Sequence, residues 1–399
     1  MQTTKGNRLH IGFFGKRNVG KSSVVNKIIG QELSIVSDTL GTTTDVNQKS
    51  MELLPIGPVV LMDTAGIDDV GELGKLRVEK TNSALLRTDI AVMVFDNNPL
   101  NESDLEFLKK LKNSSIPVLS LLNKTDTGVM PDWDIKKVEE MSDAVLKVSA
   151  VCDGEDFTAK FTEALIKILP DDFIQEVPIL SDIVKPLETA VLVIPIDKEA
   201  PKGRLILPQV NVLRDLLDIG AASVVCRENE LQETLLKLKE HPKIVVTDSQ
   251  AFKKVAEIVP DDVLLTSFSI IFARLKGDLS AFINGAKKLD SLNDGDKILI
   301  LESCSHHSVE DDIGKVKIPK LVRAYSGKEI EFEHFSGHDF PENIDKYALI
   351  IHCGACMTNR REILNRINIS NSLGVPITNY GITIAKCLKI LDRAVKPFV

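Results

Sequence analysis

No apolar run in this chain approaches the roughly 18 residues that mark a membrane-spanning helix, and no charged-then-apolar leader opens its 399 residues. The expectation is a cytoplasmic protein with no membrane partner. A basic surplus is missing too: the formal net charge is −8, with no Lys/Arg-rich patch. Phosphate attraction dominates nucleic-acid binding, so no nucleic-acid partner is expected. Six cysteines in so long a chain do not make a disulfide framework, and any clustering among them points to metal or reactivity. Low-complexity tracts and clear internal repeats are absent. What remains is a globular composition, 43% hydrophobic and 27% charged, in a chain too long for one ordinary domain.

What the chain does have begins at Gly15-Lys16-Arg17-Asn18-Val19-Gly20-Lys21-Ser22, which fits the phosphate-binding pattern G-x-x-x-x-G-K-[ST]. It lies between an apolar strand at 9–14 and a helical stretch from about residue 21. The glycines let backbone N–H groups face a polyphosphate, and a helix N-terminus adds partial positive charge. Gly15, Asn18, Val19, Gly20, Lys21, Ser22 and Ser23 are the candidate phosphate contacts. Lys21 is placed for the β- and γ-phosphates and Ser22 for Mg²⁺. Asp63-Thr64-Ala65-Gly66 follows a strand at 59–62: Asp63 suits the Mg²⁺ shell through water, and Gly66 the γ-phosphate. Lys21, Asp63 and Gly66 are the candidate catalytic groups. Asn123-Lys124-Thr125-Asp126 follows a strand at 118–122, and the Asp126 carboxylate can accept from both N1–H and the 2-amino group of guanine. Ser149 and Ala150, after a strand at 145–148, resemble the last base-contacting loop. Gly41-Thr42-Thr43-Thr44-Asp45 sits where a switch loop would bring Thr42 and Thr43 to the nucleotide, Thr43 to Mg²⁺. Together these motifs predict a GTPase.

Two details narrow the type. Asn18 and the Gly-Thr-Thr switch resemble the translation- and tRNA-modification-type GTPases, in some of which the matching Asn helps hold a K⁺ in place of an arginine finger. The alternative for Asn18 is a loop residue satisfying its own backbone. Ile67 stands where Ras-like proteins carry a water-orienting Gln and makes no hydrogen bond with its side chain, so slow hydrolysis is expected. Asp68 and Asp69 are water-positioning substitutes or a solvated acidic turn.

The GTPase fold is expected over 1–170, followed by a proline-punctuated linker over 171–186. Strand and helix then alternate: strands at 190–196, 222–226, 244–247 and 263–265, helices at 209–218, 228–240 and 249–259. That spacing predicts parallel pairing through right-handed crossovers. Residues 187–276 form a second domain without evident chemistry, and 268–275 read as a core helix or a subunit interface. The fold class is α/β, in three domains.

Residues 277–399 carry the second chemical signal. A strand at 297–301 runs into Glu302-Ser303-Cys304-Ser305-His306-His307, and one at 347–351 into His352-Cys353-Gly354-Ala355-Cys356. Both clusters follow the carboxyl ends of expected parallel strands, where open α/β sheets bind ligands. Cys304, Cys353 and Cys356 therefore predict a metal site. Zinc accepts three thiolates and a histidine; a [4Fe–4S] cluster with three cysteines leaves one iron for another ligand. The fourth position is open among His306, His352, Glu310, Asp311 and an outside molecule. His334 and His338 read as surface or packing residues, and Cys152, Cys226 and Cys387 as structural.

A potassium-type GTPase, a middle α/β domain and a C-terminal Cys-x-His…His-Cys-x-x-Cys site together resemble the HydF family, the [FeFe]-hydrogenase maturation GTPases, over essentially the whole chain. The resemblance implies a [4Fe–4S] cluster on Cys304, Cys353 and Cys356, with His306 and His352 in the same motif. It implies homodimerisation through the middle domain, which moves 268–275 toward an interface. It further implies a scaffold that carries a diiron precursor, with two radical-SAM maturases and the apo-[FeFe]-hydrogenase as partners. The competing readings are a GTPase of RNA maturation or ribosome assembly with structural zinc, and a metal-binding scaffold with a degenerate GTPase.

Overall fold

Residues Leu9–Phe14 are buried throughout, as a strand covered on both faces must be. The computed structural model describes residues 6, 8–30, 47–67, 80–81, 83–154, 156–170, 177–196, 205–303, 312–337, 340–341, 343–356 and 358–399. These fall into two compact units, 1–176 and 177–399. The first holds β1 (Leu9–Phe14), α1 (Lys21–Ile29), β2 (Asn47–Leu53), β3 (Gly57–Asp63), β4 (Ile90–Phe95), α2 (Glu102–Asn113), β5 (Val118–Leu122), α3 (Asp132–Met141), β6 (Ala144–Lys147) and α4 (Asp156–Lys167). The strand order is β2-β3-β1-β4-β5-β6, with β2 antiparallel to β3 and the remaining pairs parallel.

Alternate residues of β1 serve opposite cores. Leu9, Ile11 and Phe13 join α1 and α4, while Phe14 joins α2 and α3. Phe13 stacks on Phe161, and Phe161 on Phe157, with centroids 6.2 and 6.4 Å apart. Such pairs contribute about 0.5–1.5 kcal/mol each beyond area burial. With β1 central and packed on both faces, the loop after it is held from below. β2 is a strand that the sequence pattern does not announce: its half-exposed, polar-rich residues read poorly as a core strand, and pairing with β3 supplies its order.

The second unit contains two four-stranded sheets. The first comprises β7 (Thr189–Val193), β8 (Ala222–Cys226), β9 (Ile244–Thr247) and β10 (Leu264–Ser267). Helices α5 (Leu207–Asp218), α6 (Leu231–Lys237) and α7 (Phe252–Ile258) connect them, and α8 (Phe268–Lys276) follows. After α9 (Leu279–Ala286) come β11 (Lys297–Glu302), α10 (Ile318–Ser326), β12 (Glu331–Ser336), β13 (Leu349–His352), α11 (Arg360–Ser372), β14 (Ile377–Asn379), α12 (Tyr380–Cys387) and α13 (Leu391–Val395). All strand pairs in both sheets are parallel, as expected from the helical spacing.

The orders are β10-β9-β7-β8 and β12-β11-β13-β14. The first sheet, read from its far edge, runs 2-1-3-4 in chain order, and so does the second. This repeat of topology has no counterpart in sequence. One apolar core runs through both sheets, from Val191 and Val245 to Leu299 and Ile351.

Two expectations are revised here. The end of the presumed linker is packed, with Leu180 and Val184 buried in the core of the second unit. Phe268, Ile270, Ile271 and Phe272 on α8 are also buried inside their own chain. They fill the core between sheet and helices, which corrects the interface reading of 268–275.

Gly285 on α9 marks the tightest approach: a Cβ there would lie 1.9 Å from the Ile377 carbonyl oxygen on β14. Gly285→Ala is expected to destabilise the protein by about 1–3 kcal/mol, read as a lower urea midpoint in a transition reported by the second unit. An unchanged midpoint would show that the contact yields freely.

Candidate functional site

The nucleotide-binding motifs converge at the carboxyl ends of β1, β3, β5 and β6. Gly15, Asn18 and Gly20 all take positive φ, at 141°, 63° and 103°. At Gly20 this conformation leaves no room for a side chain, because a Cβ would fall 2.3 Å from the Asn123 amide nitrogen. Lys21 opens α1, and its Nζ donates to the carbonyls of Gly15 (2.9 Å) and Lys16 (2.7 Å). The ammonium thereby folds over the loop. Lys16 is itself anchored to buried Asp104 on α2, with Nζ 2.6 Å from Oδ2.

Beside Lys21, the Ser22 hydroxyl donates to Asp63 Oδ2 at 2.6 Å. Desolvation pushes the Asp63 carboxyl pKa up, opposed by that hydrogen bond and by the charges of Lys21 and Lys49. Its other oxygen, Oδ1, is buried with no hydrogen-bond partner among the described residues. A hydroxyl and a carboxylate with an open oxygen, side by side, fit a hard divalent cation such as Mg²⁺. Thr64 pins the loop after β3, donating from Oγ1 to the Phe13 carbonyl at 2.6 Å. The Ile67 N–H bonds the Gly15 carbonyl (3.3 Å), and its side chain packs on the α2–α3 core.

The base-side loops are tied to the phosphate side. Asn123 donates from Nδ2 to the Val19 carbonyl (2.9 Å) and accepts at Oδ1 from the Ala150 N–H (3.0 Å). Lys124 Nζ donates to the Asn18 carbonyl at 2.7 Å. Asp126 stays exposed, with Oδ1 held by the Ser149 hydroxyl at 2.6 Å, a bond that lowers its pKa. The carboxylate is therefore ionised and oriented before any base arrives. Ser23 is exposed on α1. Thr42, Thr43, Asp68 and Asp69 lie outside the described residues.

The second site lies at the carboxyl ends of β11 and β13, the point where strand order reverses. The Cys353 N–H bonds the Leu301 carbonyl (2.8 Å), and Cys353 Sγ accepts from the Ser303 N–H at 3.3 Å. Burial pushes the Cys353 thiol pKa up, opposed by hydrogen bonds from Ala355 and Ser303 and by the Arg366 charge. Cys356 lies on the same loop, beyond Ala355 at φ 54°. Cys304, His306, Glu310, Asp311 and His338 are outside the described residues. Among the described residues, no group of three or more His, Cys, Asp or Glu side chains is arranged to hold a metal. Among the described residues, the site thus comprises two sulfurs on one loop, with the Ser303 N–H against one of them.

His352 is 1% exposed, with both ring nitrogens engaged. Nε2 faces the Arg366 guanidinium at 2.8 Å, and Nδ1 the Cys353 carbonyl at 2.8 Å. A guanidinium only donates, so Nε2 accepts and Nδ1 carries the hydrogen. Desolvation, then the Arg366 charge, pushes the His352 pKa down to about 3, and the ring is neutral. His334 is exposed on β12.

Family models match in three consecutive stretches. One described as a 50S ribosome-binding GTPase covers residues 10–124. A hydrogen maturase F dimerization domain covers 179–277, and a hydrogen maturase F tetramerization domain covers 280–397. The chain belongs to the hydrogen maturase F family. Curated relatives match the GTPase part. The tRNA modification GTPase MnmE of Clostridioides difficile is 39% identical over 139 residues, 34% of this chain and 30% of that protein. MnmE of Lactococcus lactis subsp. lactis is 43% identical over 122 residues, 30% of this chain and 26% of that protein. The aligned part thus spans about three-tenths of these relatives. Among solved structures, a variant of Aquifex aeolicus Era bound to GDP·AlF4⁻ is 18% identical. It covers 62% of this chain and 97% of that one, with a TM-score of 0.33.

For this member of the hydrogen maturase F family, the three-part α/β organisation, the P-loop GTPase domain and the capacity for hydrolysis of GTP follow from the family matches and the fold. The tetramerization description adds an assembly level beyond the expected homodimer. No helix among the described residues is long and apolar enough to cross a membrane.

Three residues of these sites escape a reading of the sequence: Arg366, Glu362 and Tyr380. A signal for the first two is present. On α11, Glu362, Ile363, Arg366, Ile367 and Ser370 are the buried positions, so two charged residues share a helical stripe with isoleucines. Tyr380 Oη donates to buried Glu302 at 2.9 Å, and no local pattern announces that pair.

Asp126→Asn is expected to weaken GTP binding at least tenfold, since hydrogen bonds to a charged group are worth about 1.5–3 kcal/mol. Titration with a fluorescent GTP analogue reads this directly, and an unaltered Kd would remove Asp126 from base recognition.

Proposed function

We propose that this chain is a GTP-hydrolysing scaffold that holds a [4Fe–4S] cluster and completes and delivers a diiron precursor to apo-[FeFe]-hydrogenase. The observation that carries the reading is the 3.3 Å contact between the Ser303 amide and the Cys353 sulfur, in a chain of the hydrogen maturase F family. Cys304 follows Ser303 directly, so its thiolate would join those of Cys353 and Cys356 as protein ligands. The remaining iron position would fall to His306, Glu310, Asp311 or an outside molecule. His352, with both nitrogens occupied, is the weaker candidate. When bound, such a cluster would offer one iron corner with an exchangeable ligand, a property suited to holding cargo and releasing it.

In the GTPase domain, proposed as 1–170, the loop amides and Lys21 would bind and orient the phosphates. Ser22, Asp63 and Thr43 would hold Mg²⁺, directly or through water, and the Gly66 N–H would meet the γ-phosphate. Asp126, braced by Ser149, would select guanine. Asn18 is the proposed K⁺ contact, and hydrolysis would be slow because Ile67 cannot orient water. Residues 187–276 would form the homodimer. Residues 277–399 would present the cluster to the two radical-SAM maturases and the hydrogenase. GTP would act through the switch loop, whose order depends on γ-phosphate and Mg²⁺ contacts.

Anaerobic reconstitution with iron and sulfide tests the reading. The expected result is a brown protein with a band near ~400 nm and an EPR signal on reduction. Cys304→Ala should lose that chromophore and keep GTP hydrolysis, and Lys21→Ala should do the reverse. Colourless protein with tight stoichiometric zinc would overturn the cluster. Exchanging K⁺ for Na⁺ should slow hydrolysis; equal rates in both salts would remove Asn18 from a potassium role.

A further inference from the structure

Among the described residues, Arg366 is the largest side chain completely sealed from solvent. A buried guanidinium loses its hydration, which acceptors around it have to replace. Nη1 donates to His352 Nε2 at 2.8 Å and to the Ser303 hydroxyl at 3.3 Å. Nη2 donates to Glu362 Oε1 at 2.6 Å and to the Gly337 carbonyl at 3.0 Å. Each acceptor has a distinct address. Ser303 follows β11 and precedes Cys304; Gly337 follows β12; His352 ends β13 and precedes Cys353. One side chain from α11 therefore ties together the carboxyl ends of three adjacent strands. Glu362, one turn earlier on the same helix, offsets the charge and shares the burial.

A brace for the core alone would need no such choice of partners. Of these acceptors among the described residues, Ser303 and His352 immediately precede cysteines. A third, Gly337, is fixed to the same corner, because its N–H bonds the Glu302 carbonyl at 2.9 Å. His352 supplies the aromatic nitrogen that fills the guanidinium fork between the two cysteine loops.

We propose that Arg366 is the positioning residue of the sulfur site, fixing the strand ends that bear Cys304 and Cys353, with His352 as its hydrogen-bond acceptor rather than a metal ligand. The proposal rests on the cluster reading above. Groups of this kind, one step removed from the ligands, typically change metal affinity by about 10–100-fold when replaced. They do so by letting the ligands wander.

The test compares reconstituted wild type with the double variant Arg366→Met/Glu362→Leu, which removes both charges of the buried pair so that neither is left unpaired. Expected is a folded protein with a cooperative melt, from which iron is stripped at a bathophenanthroline concentration about 10–100-fold lower. Equal resistance to the chelator would overturn the proposal. Should the double variant not fold, Arg366→Lys decides: it keeps the charge and loses the fork, so chelator resistance should fall. Unchanged resistance there overturns the proposal as well.

His352 is tested separately. His352→Gln retains an acceptor for Arg366 and should keep the cluster, whereas His352→Leu should mimic the Arg366 variants. Loss of a nitrogen coupling in pulsed EPR of His352→Gln would make the ring a ligand and overturn the assignment. Wild-type protein that takes up no iron and sulfide would remove the cluster reading and this proposal with it.

Discussion

Parallel strands impose a constraint on which the rest of this structure depends. Their connections must cross a face of the sheet, so every strand leaves at one edge and the next enters at the other. Loops at the carboxyl edge therefore gather from residues far apart in sequence. At the point where strand order reverses, neighbouring loops run to opposite faces and leave a crevice. In the first unit β1 is the central strand, and the P-loop after it meets Asp63 after β3 and Asn123 after β5. In the last sheet β11 and β13 are neighbours, and the sequences after them carry the cysteines. Burial of the strands supplies the stability; the edge receives the chemistry.

The nucleotide side is built to be ready before it is loaded. Lys21 is held by two carbonyls, Asp126 by a serine hydroxyl, and Asn123 bridges the phosphate loop to the Ser149-Ala150 loop. Each bond is local and polar, and each reduces the freedom that binding would otherwise have to remove. Asp63 is the exception. Its burial is opposed by one serine and two lysine charges, and one oxygen is left without a hydrogen bond among the described residues. A carboxylate in that condition gains more from a cation than a solvated one does, because its desolvation has already been met by the fold.

How far the sequence could be read follows from how local each signal was. The P-loop, Asp63-Thr64-Ala65-Gly66 and Asn123-Lys124-Thr125-Asp126 are contiguous runs, and the structure brings them to one edge. The strands 222–226 and 244–247 were legible as short apolar runs and occur with those bounds. The helices read at 228–240 and 249–259 are shorter, Leu231–Lys237 and Phe252–Ile258; the second stops at Val259, which is extended because Pro260 follows it. β2, β12 and β14 were not legible: the first two are half-exposed outer strands, and β14 spans only three residues. Arg366 was hidden for a different reason. Its partners among the described residues, Ser303, Gly337, His352 and Glu362, lie on four segments, and of these Glu362 alone is close in sequence.

The two four-stranded sheets of the second unit separate fold from chemistry. Both are parallel, and each places its first strand in the interior, where the chain reverses direction across the sheet. In the earlier sheet β7 has β9 as a neighbour, and at the end of β9 the chain reads Thr247-Asp248-Ser249 instead of His352-Cys353. There Asp248 is already bonded by Gln209 from α5, at 2.9 Å, and Gln209 also caps the start of that helix. That carboxylate is thus held within its own domain, whereas in the last sheet two sulfurs sit on the loop after His352, which Arg366 holds. Similar topology thus gives one edge whose strand-end carboxylate is taken by a helix side chain and one whose strand-end loop carries two sulfurs. The residues at the strand ends, and the partners that orient them, decide which edge does chemistry.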